Sequence, residues 1–339
     1  MANKECFIIA EVGVNHNGDE SLAIQLVDVA IECGANAVKF QTFNSIHLVS
    51  SDAPTAEYQK TNSGDDNQLL MLQKLELSKE SFKRIKEYCD SKNILFISTP
   101  FDLGSVDLLD MIGVDTFKIA SGDLTHYQLL KHIALKNKKI ILSTGMSNLE
   151  EVKAAVTYIK SQNNAYITLL HCISSYPTIA EETNLLSIKT LKDCFPDLEV
   201  GFSDHTEGNL AAIISLALGA SVIEKHITLD NNLHGPDHKM SMNPEKFRKY
   251  IQKIRLTEKM LGDGIKRCMP SEFKNKYLAR RSIAVKKGLK RGTVISQEDL
   301  ISLRPDLNIC GNHFEEIVGK RLIKDKKENE FLNWDDFLD

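Results

Sequence analysis

Eight short apolar runs recur along the chain, and segments with helical spacing separate them. Each run is nearly continuous in Ile, Val, Leu and Phe, which is typical of parallel strands buried on both faces. The runs cover residues 7–12, 37–40, 94–97, 116–119, 139–142, 167–170, 198–202 and 220–223. Eight alternating strand–helix units predict a (β/α)8 TIM barrel. An open doubly wound sheet is disfavoured, because no glycine-rich dinucleotide fingerprint follows any run.

Several of the intervening segments carry helix-end signals. Ser147, followed by Glu150, has the capping-box pattern of a helix start. Asn243 before Pro244 predicts an N-cap and the first residue of the last barrel helix. Gly219 should end an apolar helix.

The length allows a large barrel and a second, smaller domain. We assign residues 1–262 to the catalytic barrel, 263–280 to a charged linker and 281–339 to the small domain. That domain should consist of short strands joined by turns. The strands are expected at residues 282–285, 293–295, 301–303 and 317–323.

One connection is unusually long. The polar residues 44–67, which include the segment 56–60, separate the second predicted strand from a helix expected to begin near Ser78. Loops of this length are functional lids or disordered segments. In a barrel this loop would lie at the catalytic face.

Composition narrows the class of protein. The chain is 42% hydrophobic and 26% charged with a formal net charge of −4 and no polybasic block, which disfavours nucleic acids and anionic membranes as partners. No apolar run approaches the ~20 residues of a spanning helix, and the first residues lack a signal-peptide pattern. Seven scattered cysteines without a CxxC pair indicate reduced thiols in a cytoplasmic enzyme.

Two lysines interrupt the apolar strands. Lys39 and Lys118 would each be costly if buried without a partner. Together at the carboxyl ends of barrel strands, where TIM-barrel sites lie, they suit a small anion with two or three charges. For either lysine alone, a structural ion pair with Glu11 or Glu224 is an equal alternative.

Hydroxyls and glycine amides accompany these lysines at the strand ends. Ser121, Ser143 and Ser203, with the backbone N–H groups of Gly122 and Gly145, are suited to hold phosphate oxygens.

Two histidines end adjacent strands of the expected barrel. His205 and His226 could share one divalent ion, with Asp237 close in sequence; imidazoles without thiolates fit manganese, iron, cobalt or zinc. Such an ion would act as a Lewis acid on a carbonyl. A hydrogen-bonded structural histidine is the alternative at each position. His234 and His238 are interpreted as loop residues rather than ligands.

Eight ordered motifs and a ninth in the small domain resemble the sialic acid synthase family. The last, Leu303–Arg304–Pro305, resembles the antifreeze-like (SAF) domain of these enzymes. The other motifs are IAEVGVNHNG, VKFQTF, FISTPF, KIASGD, LSTGM, LLHC…SYP, GFSDHT and EKHITLD…GPDHKMSMNP.

The resemblance implies condensation of phosphoenolpyruvate with an open-chain N-acylated hexosamine to give a nine-carbon 2-keto acid and phosphate. It implies a Mn²⁺-type ion on His205 and His226. It places catalytic acids at Glu11, Glu224 and Asp237. The substrate-binding residues it indicates are Lys39, Gln41, Thr99, Lys118, Ser121, Asp123, Ser143, Tyr176 and Ser203.

The resemblance also implies a homodimer in which the small domain of one subunit covers the barrel of its partner. Arg304 matches the arginine that reaches the partner's sugar site. Asp306 stands where a glycine often follows this motif, which affects the geometry of the Arg304 loop.

The expected sugar is 2,4-diacetamido-2,4,6-trideoxymannose. Residues 122–127 lack the Asn-Asn pair usual in N-acetylneuraminate-forming members, and the 44–67 loop resembles the legionaminate branch. Thr125 and His126 are expected to contribute to this difference. N-Acetylmannosamine is the alternative substrate, and pseudaminate synthesis is a third.

Two other classes of protein remain open. A Schiff-base aldolase would use Lys39 or Lys118 as its nucleophile. A non-catalytic carbohydrate-binding protein would not need His205 and His226 together.

Overall fold

The computed structural model describes residues 5–55, 60, 62, 66–162 and 166–337. The chain divides into two units, Met1–Asp263 and Gly264–Asp339. In the first, eight parallel strands form a closed barrel in which β1 pairs with both β2 and β8. They are β1 (Phe7–Gly13), β2 (Ala37–Thr42), β3 (Leu95–Pro100), β4 (Thr116–Ile119), β5 (Lys139–Ser143), β6 (Ile167–Cys172), β7 (Glu199–Asp204) and β8 (Val222–His226). The predicted TIM barrel is therefore confirmed.

Helices follow the strands and cover the outside of the barrel. They are α1 (Glu20–Cys33), α2 (Ser45–Leu48), α3 (Gln68–Gln73), α4 (Lys79–Ser91), α5 (Leu103–Met111), α6 (Tyr127–Ala134), α7 (Leu149–Ser161), α8 (Leu186–Cys194), α9 (Leu210–Ala217) and α10 (Pro244–Leu261). Among the described residues, no helix is long and apolar enough to cross a membrane.

Apolar side chains pack in two layers, as strands buried on both faces require. The outer layer lies between strands and helices. A small inner cluster fills the barrel below the strand ends: Ile9, Ala37, Ile97, Ile141, Leu170 and Val222. The inner cluster closes the barrel from below, so a ligand site can open only above it.

The helix-end signals at Asn243 and Gly219 were right, and the one at Ser147 is displaced. Gly219 lies two residues after the end of α9 and has a left-handed φ of 92°. Asn243 caps α10 by accepting a hydrogen bond from the Lys246 N–H at 3.0 Å. The capping box of α7 uses Asn148 and Glu151, one residue later than predicted. Asparagine is at least as good an N-cap as serine, and here it takes that role from Ser147.

The long second connection begins with α2 and is closed by a bridge between Pro54 and Asn67. Helix α3 and then α4 follow, and Ser78 caps α4 by accepting from the Ser81 N–H. Of the segment 56–60, residues 56–59 lie outside the described residues.

The second unit begins with α11 (Phe273–Ala279), which lies in the segment predicted as a linker. Two antiparallel strands, β9 (Ser282–Val285) and β10 (Leu300–Leu303), follow. The strands predicted at 293–295 and 317–323 are wrong. In the described chain the two segments are joined by an isolated bridge between Val294 and Arg321. Residue 317 instead ends a short helix, α12 (Phe314–Ile317). Short apolar stretches here pack around a small core without a continuous ladder.

Candidate active site at the carboxyl ends of the strands

A cavity of about 500 Å³ opens at the carboxyl ends of the barrel strands. Most of the predicted site residues line it. They are Glu11, Lys39, Gln41, Thr99, Lys118, Ser121, Ser143, Tyr176, Ser203, His205, Glu224, His226 and Asp237.

Two predicted substrate-binding residues lie elsewhere. Asp123 follows the cavity-lining Ser121–Gly122 pair, and its carboxylate lies 3.6 Å from His126 Nδ1. Burial raises the pKa of Asp123, an effect that His126 partly offsets. Arg304 is exposed in the second unit.

Four buried charges alternate in sign on the cavity floor. Lys39 Nζ lies 2.6 Å from Glu11 Oε2 and 3.8 Å from Glu224 Oε1. Lys118 Nζ lies 3.7 Å from the same Glu224 oxygen. Each lysine is only 3% exposed. Both interpretations of the lysines, as ion-pair partners and as anion-binding residues, are therefore compatible with the structure, because each lysine has a carboxylate partner and also lines the cavity.

The surroundings shift the pKa values of Glu11 and Glu224, the two carboxyls on the cavity floor, in opposite directions. Burial raises the pKa of Glu11 to about 7, although Lys39 partly opposes the shift. Burial also acts to raise the pKa of Glu224, but Lys118 and Lys39 outweigh it, so the pKa is lowered overall. Glu224 is thus an ionised counter-charge, while Glu11 can exchange a proton near neutral pH.

A third carboxyl, Asp237, reaches the cavity from the loop after β8. Burial raises its pKa to about 6, against the attraction of His205 and Lys39. A Cβ atom added to Gly13 would lie 3.3 Å from Glu11 Oε1 and 3.7 Å from Asp237 Oδ2. The lack of a side chain at Gly13 therefore leaves room for the carboxylates of Glu11 and Asp237.

Hydroxyl groups surround the buried charges. Lys118 Nζ donates to Ser143 Oγ at 2.8 Å, and Ser203 Oγ donates to Glu224 Oε1 at 3.0 Å. The backbone N–H of Gly145 donates to Ser121 Oγ at 3.0 Å. A Cβ at Gly145 would lie only 2.8 Å from that oxygen, so a glycine is needed here. The predicted hydroxyls of Ser143 and Ser203 therefore each contact one of the buried charges, and that of Ser121 contacts a backbone amide.

The imidazoles of His205 and His226 lie side by side, with ring centroids 5.6 Å apart, and the Tyr176 ring stands 4.2 Å from that of His205. His205 Nδ1 lies 2.7 Å from the Ile173 carbonyl, so this nitrogen carries a proton and only Nε2 could serve as a metal ligand. His226 Nδ1 is buried and lacks a hydrogen-bond partner within the described chain.

These observations fit two ligands for one divalent ion. Burial, reinforced by the nearby lysines, holds the pKa of His226 well below its usual value, which leaves its ring neutral and able to ligate. No set of three His, Cys, Asp or Glu side chains converges as a metal site in the described ranges. Two imidazoles alone would leave coordination positions of such an ion open for substrate and water.

Sequence reasoning missed Cys172, which lines the cavity at the end of β6 with its Sγ 3.5 Å from Ser121 Oγ. The preceding His171, which directly follows the apolar run 167–170, does not line the cavity. That ring points outward, stacks on Phe202 and places Nε2 2.9 Å from the Thr183 carbonyl. The two-residue period of a strand would have found Cys172, because Leu170 faces the barrel interior. Met146, Ser174 and Met71 also line the cavity.

A TIM barrel that collects buried lysines, carboxyls and two imidazoles in one cavity at its strand ends is a barrel enzyme. Models described as "NeuB family" and "SAF domain" match residues 26–266 and 280–338. The chain belongs to the NeuB family, and the resemblance to sialic acid synthases drawn from the motifs is confirmed.

Similar proteins carry related names. The chain is 47% identical over 335 residues to the N,N'-diacetyllegionaminic acid synthase of Campylobacter jejuni, covering 97% of this chain and 99% of the relative. It is 45% identical over 335 residues to that of Legionella pneumophila, covering 97% and 94%. A crystal structure of the N-acetylneuraminic acid synthetase of Leptospira borgpetersenii superposes with a TM-score of 0.71 and 36% identity, covering 80% of this chain and 90% of that chain.

Proposed function

We propose that this enzyme condenses phosphoenolpyruvate with 2,4-diacetamido-2,4,6-trideoxymannose and water, yielding N,N'-diacetyllegionaminic acid and phosphate. The observation that carries the proposal is the pair of buried lysines, ringed by hydroxyls, beside two ligand-competent imidazoles. The names of the relatives that are 47% and 45% identical support the choice of sugar.

Phosphoenolpyruvate would bind through Lys39 and Lys118, with Ser121, Ser143 and Ser203 holding its phosphate and carboxylate oxygens. Lys118 donates to Ser143 at 2.8 Å, so its ammonium group and this hydroxyl are close enough to contact the same substrate oxygen. Because both lysines are buried, their attraction for an anion is only weakly screened by water and salt. Thr99, 3.3 Å from Lys39 Nζ, would orient that lysine.

His205 and His226 would hold a divalent ion, for which we propose Mn²⁺, and this ion would polarise the sugar aldehyde as a Lewis acid. The Nδ1–H bond to the Ile173 carbonyl would fix the ring of His205. Tyr176, whose ring lies 4.2 Å from that of His205, and Gln41, which donates to Glu11 Oε1 at 3.3 Å, would line the sugar site.

The carboxyls of Glu11, Glu224 and Asp237 would have three different roles in the reaction. C3 of phosphoenolpyruvate attacks the aldehyde carbon, water adds at C2, and phosphate leaves with C–O cleavage. Ionised Glu224 would keep the lysines in place, whereas Glu11, with a pKa of about 7, would take the proton of the adding water. Asp237, with a pKa of about 6, would protonate the alkoxide formed from the aldehyde.

Lys118 supplies a specific argument for the aldolase alternative. Burial lowers the pKa of Lys118, despite the opposing pull of Glu224, and a Schiff-base lysine needs such a shift. Its contacts with Ser143 and Glu224 favour anion binding instead. Borohydride with pyruvate should leave Lys118 unmodified, and a trapped pyruvyl-lysine would establish the aldolase.

The decisive assay compares both candidate sugars with phosphoenolpyruvate and Mn²⁺. We expect the diacetamido-trideoxy sugar to be used at least ~10-fold better, in kcat/KM, than N-acetylmannosamine, because a pocket that bonds an amide discriminates against its absence. Mass spectrometry identifies the products and phosphate release gives the rate. Preference for N-acetylmannosamine would make the enzyme an N-acetylneuraminate synthase.

We further propose a homodimer in which the second unit completes the partner's site. Large apolar side chains are exposed at the end of α10 and in the segment 263–280, which includes α11. Such surfaces favour association. They include Met260 at 78%, Ile265 at 66% and Phe273 at 57% exposure. Acidic residues outnumber basic ones in residues 1–263, and the reverse holds in residues 264–339.

The substitution Arg304→Ala tests whether Arg304, here called the arm, completes the sugar site of the partner. We expect the KM for the sugar to rise about 10-fold, since a charge-assisted contact is worth about 1.5 kcal/mol, while the KM for phosphoenolpyruvate stays within twofold. Steady-state kinetics with each substrate varied gives both constants. Arg281→Ala, another exposed arginine of the same unit, is the control. Unchanged constants in Arg304→Ala would rule out the arm.

A further inference from the structure

The loop of residues 228–242, here called the β8 loop, carries Asp237 into the cavity. Asp237 is only 6% exposed, yet no hydrogen bond or ion pair of its carboxylate is found among the contacts of the described residues. Its position therefore depends on the backbone of the β8 loop and on whatever holds that backbone in place.

Two side chains tie the β8 loop to the loop after β1. Asn17 donates from Nδ2 to the His234 carbonyl at 2.9 Å, and its Oδ1 lies 3.1 Å from His238 Nε2. His238 Nδ1 lies 2.7 Å from Thr228 Oγ1. Because Asn17 Oδ1 only accepts, Nε2 of the neutral ring carries the proton. The Thr228 hydroxyl, which also lies 3.1 Å from the Asp230 carbonyl, then donates to Nδ1 at the shorter distance. We call this chain of hydrogen bonds the Asn17–His238 clamp.

The protonation state of His238 and the glycine at position 235 are both compatible with the clamp. Burial lowers the pKa of His238 to about 4, so the ring stays neutral, as the hydrogen-bond pattern requires. A Cβ at Gly235 would lie 2.7 Å from Asn17 Oδ1 and 2.8 Å from His238 Cδ2. The β8 loop can therefore pass between the two clamp residues only as glycine.

A second set of bonds carries the constraint to Asp237 itself. Asn15 Nδ2 donates to the Ile227 carbonyl and to Ser241 Oγ, each at 2.8 Å. Ser241 Oγ in turn donates to the carbonyl of Asp237 at 2.6 Å. Both ends of the segment that bears Asp237 are thus bonded to the NHN sequence after β1.

We propose that Asn17 and His238 are positioning residues for Asp237, a role that rests on the function proposed above for that carboxyl. The clamp holds the β8 loop against the β1 loop so that the Asp237 carboxylate faces the reacting carbons. A displacement of about 1 Å in such a group costs on the order of 100-fold in rate.

Asn17→Gly and His238→Ala test the clamp. Glycine suits position 17 because its φ of 52° is left-handed, so only the amide is lost. We expect kcat to fall about 100-fold in each variant with the KM for phosphoenolpyruvate within twofold. His238→Gln, whose amide can donate to Asn17, should regain about 10-fold of the loss. His234→Ala, an exposed histidine of the same loop, should match wild type.

A double-mutant cycle with Asp237→Asn separates positioning from general destabilisation. If the clamp acts through Asp237, His238→Ala will cause less than a twofold further loss of kcat in the Asp237→Asn background. An equal loss in both backgrounds, or wild-type turnover by Asp237→Asn, would overturn the proposal.

A readout without turnover distinguishes failure of the clamp from failure of the proposed function. Trypsin cleavage after the exposed Lys239, followed by mass spectrometry of the intact enzyme, reports the freedom of the β8 loop. We expect cleavage at least ~10-fold faster in Asn17→Gly. If the wild type formed no nine-carbon acid, the proposed function would fail while faster cleavage still supported the clamp. Unchanged cleavage would overturn it.

Discussion

His226→Ala should lower turnover at least ~1,000-fold and weaken Mn²⁺ binding at least ~100-fold. The ring is buried, neutral and 5.6 Å from that of His205, centroid to centroid, and its Nδ1 has no partner within the described chain. Loss of a residue that orients a ligand costs 10–100-fold in metal affinity, and loss of one of two ligands should cost at least as much. Titration of the Mn²⁺ electron paramagnetic resonance signal measures the affinity, and phosphate release measures turnover.

The matched control is His171→Gln. His171 is also a buried strand-end histidine, but it faces away from the cavity, and glutamine can keep its bond to the Thr183 carbonyl. This variant should bind Mn²⁺ like the wild type. Wild-type turnover by His226→Ala, or by the wild-type enzyme in metal-depleted buffer, would contradict the metal assignment.

Lys118→Met should reduce kcat/KM for phosphoenolpyruvate about 1,000-fold while leaving the enzyme folded. Truncating a buried charged partner of an anion costs about 4 kcal/mol of binding. Stability should change little, because methionine removes a desolvated cation and Glu224 keeps Lys39 and Ser203 as partners. Steady-state kinetics and thermal denaturation together measure both effects, and a Tm within a few degrees of the wild type is expected.

Lys86→Met is the control for this substitution. Lys86 is mostly buried on α4, pairs with Asp90 at 2.6 Å and does not line the cavity. It should keep wild-type kinetics. A Lys118→Met enzyme with unchanged kcat/KM but a collapsed Tm would make the lysine a structural ion-pair partner and remove it from the anion site.

The barrel was predictable from the sequence because its information is local. Each strand is a short apolar run, and a strand buried on both faces allows little else. The second unit was harder. Residues 317–323 are apolar enough for a strand, but Ile317 ends α12 and its side chain fills the small core. Short segments of a small domain take their conformation from packing rather than from periodicity.

The candidate site was predictable to the level of which strand ends carry polar groups. Which polar group at a strand end faces the cavity follows only from the two-residue period of the strand, which selects Cys172 over His171. The clamp, by contrast, could not have been found. Asn17 and His238 are separated by more than two hundred residues, and only closure of the barrel between β1 and β8 brings their loops together.

The alternating charges on the cavity floor make anion binding an exchange of partners. Two lysines and two carboxylates already balance each other, so a phosphate that takes Lys39 must take it from Glu11. Lys39 is the main influence that holds the pKa of Glu11 down to about 7 against burial. Once the anion neutralises Lys39, that pKa should rise, which makes the Glu11 carboxylate a stronger base for the proton of the adding water. Substrate binding would thereby strengthen the catalytic base, and calorimetry in buffers of different ionisation enthalpy should detect partial proton uptake near neutral pH.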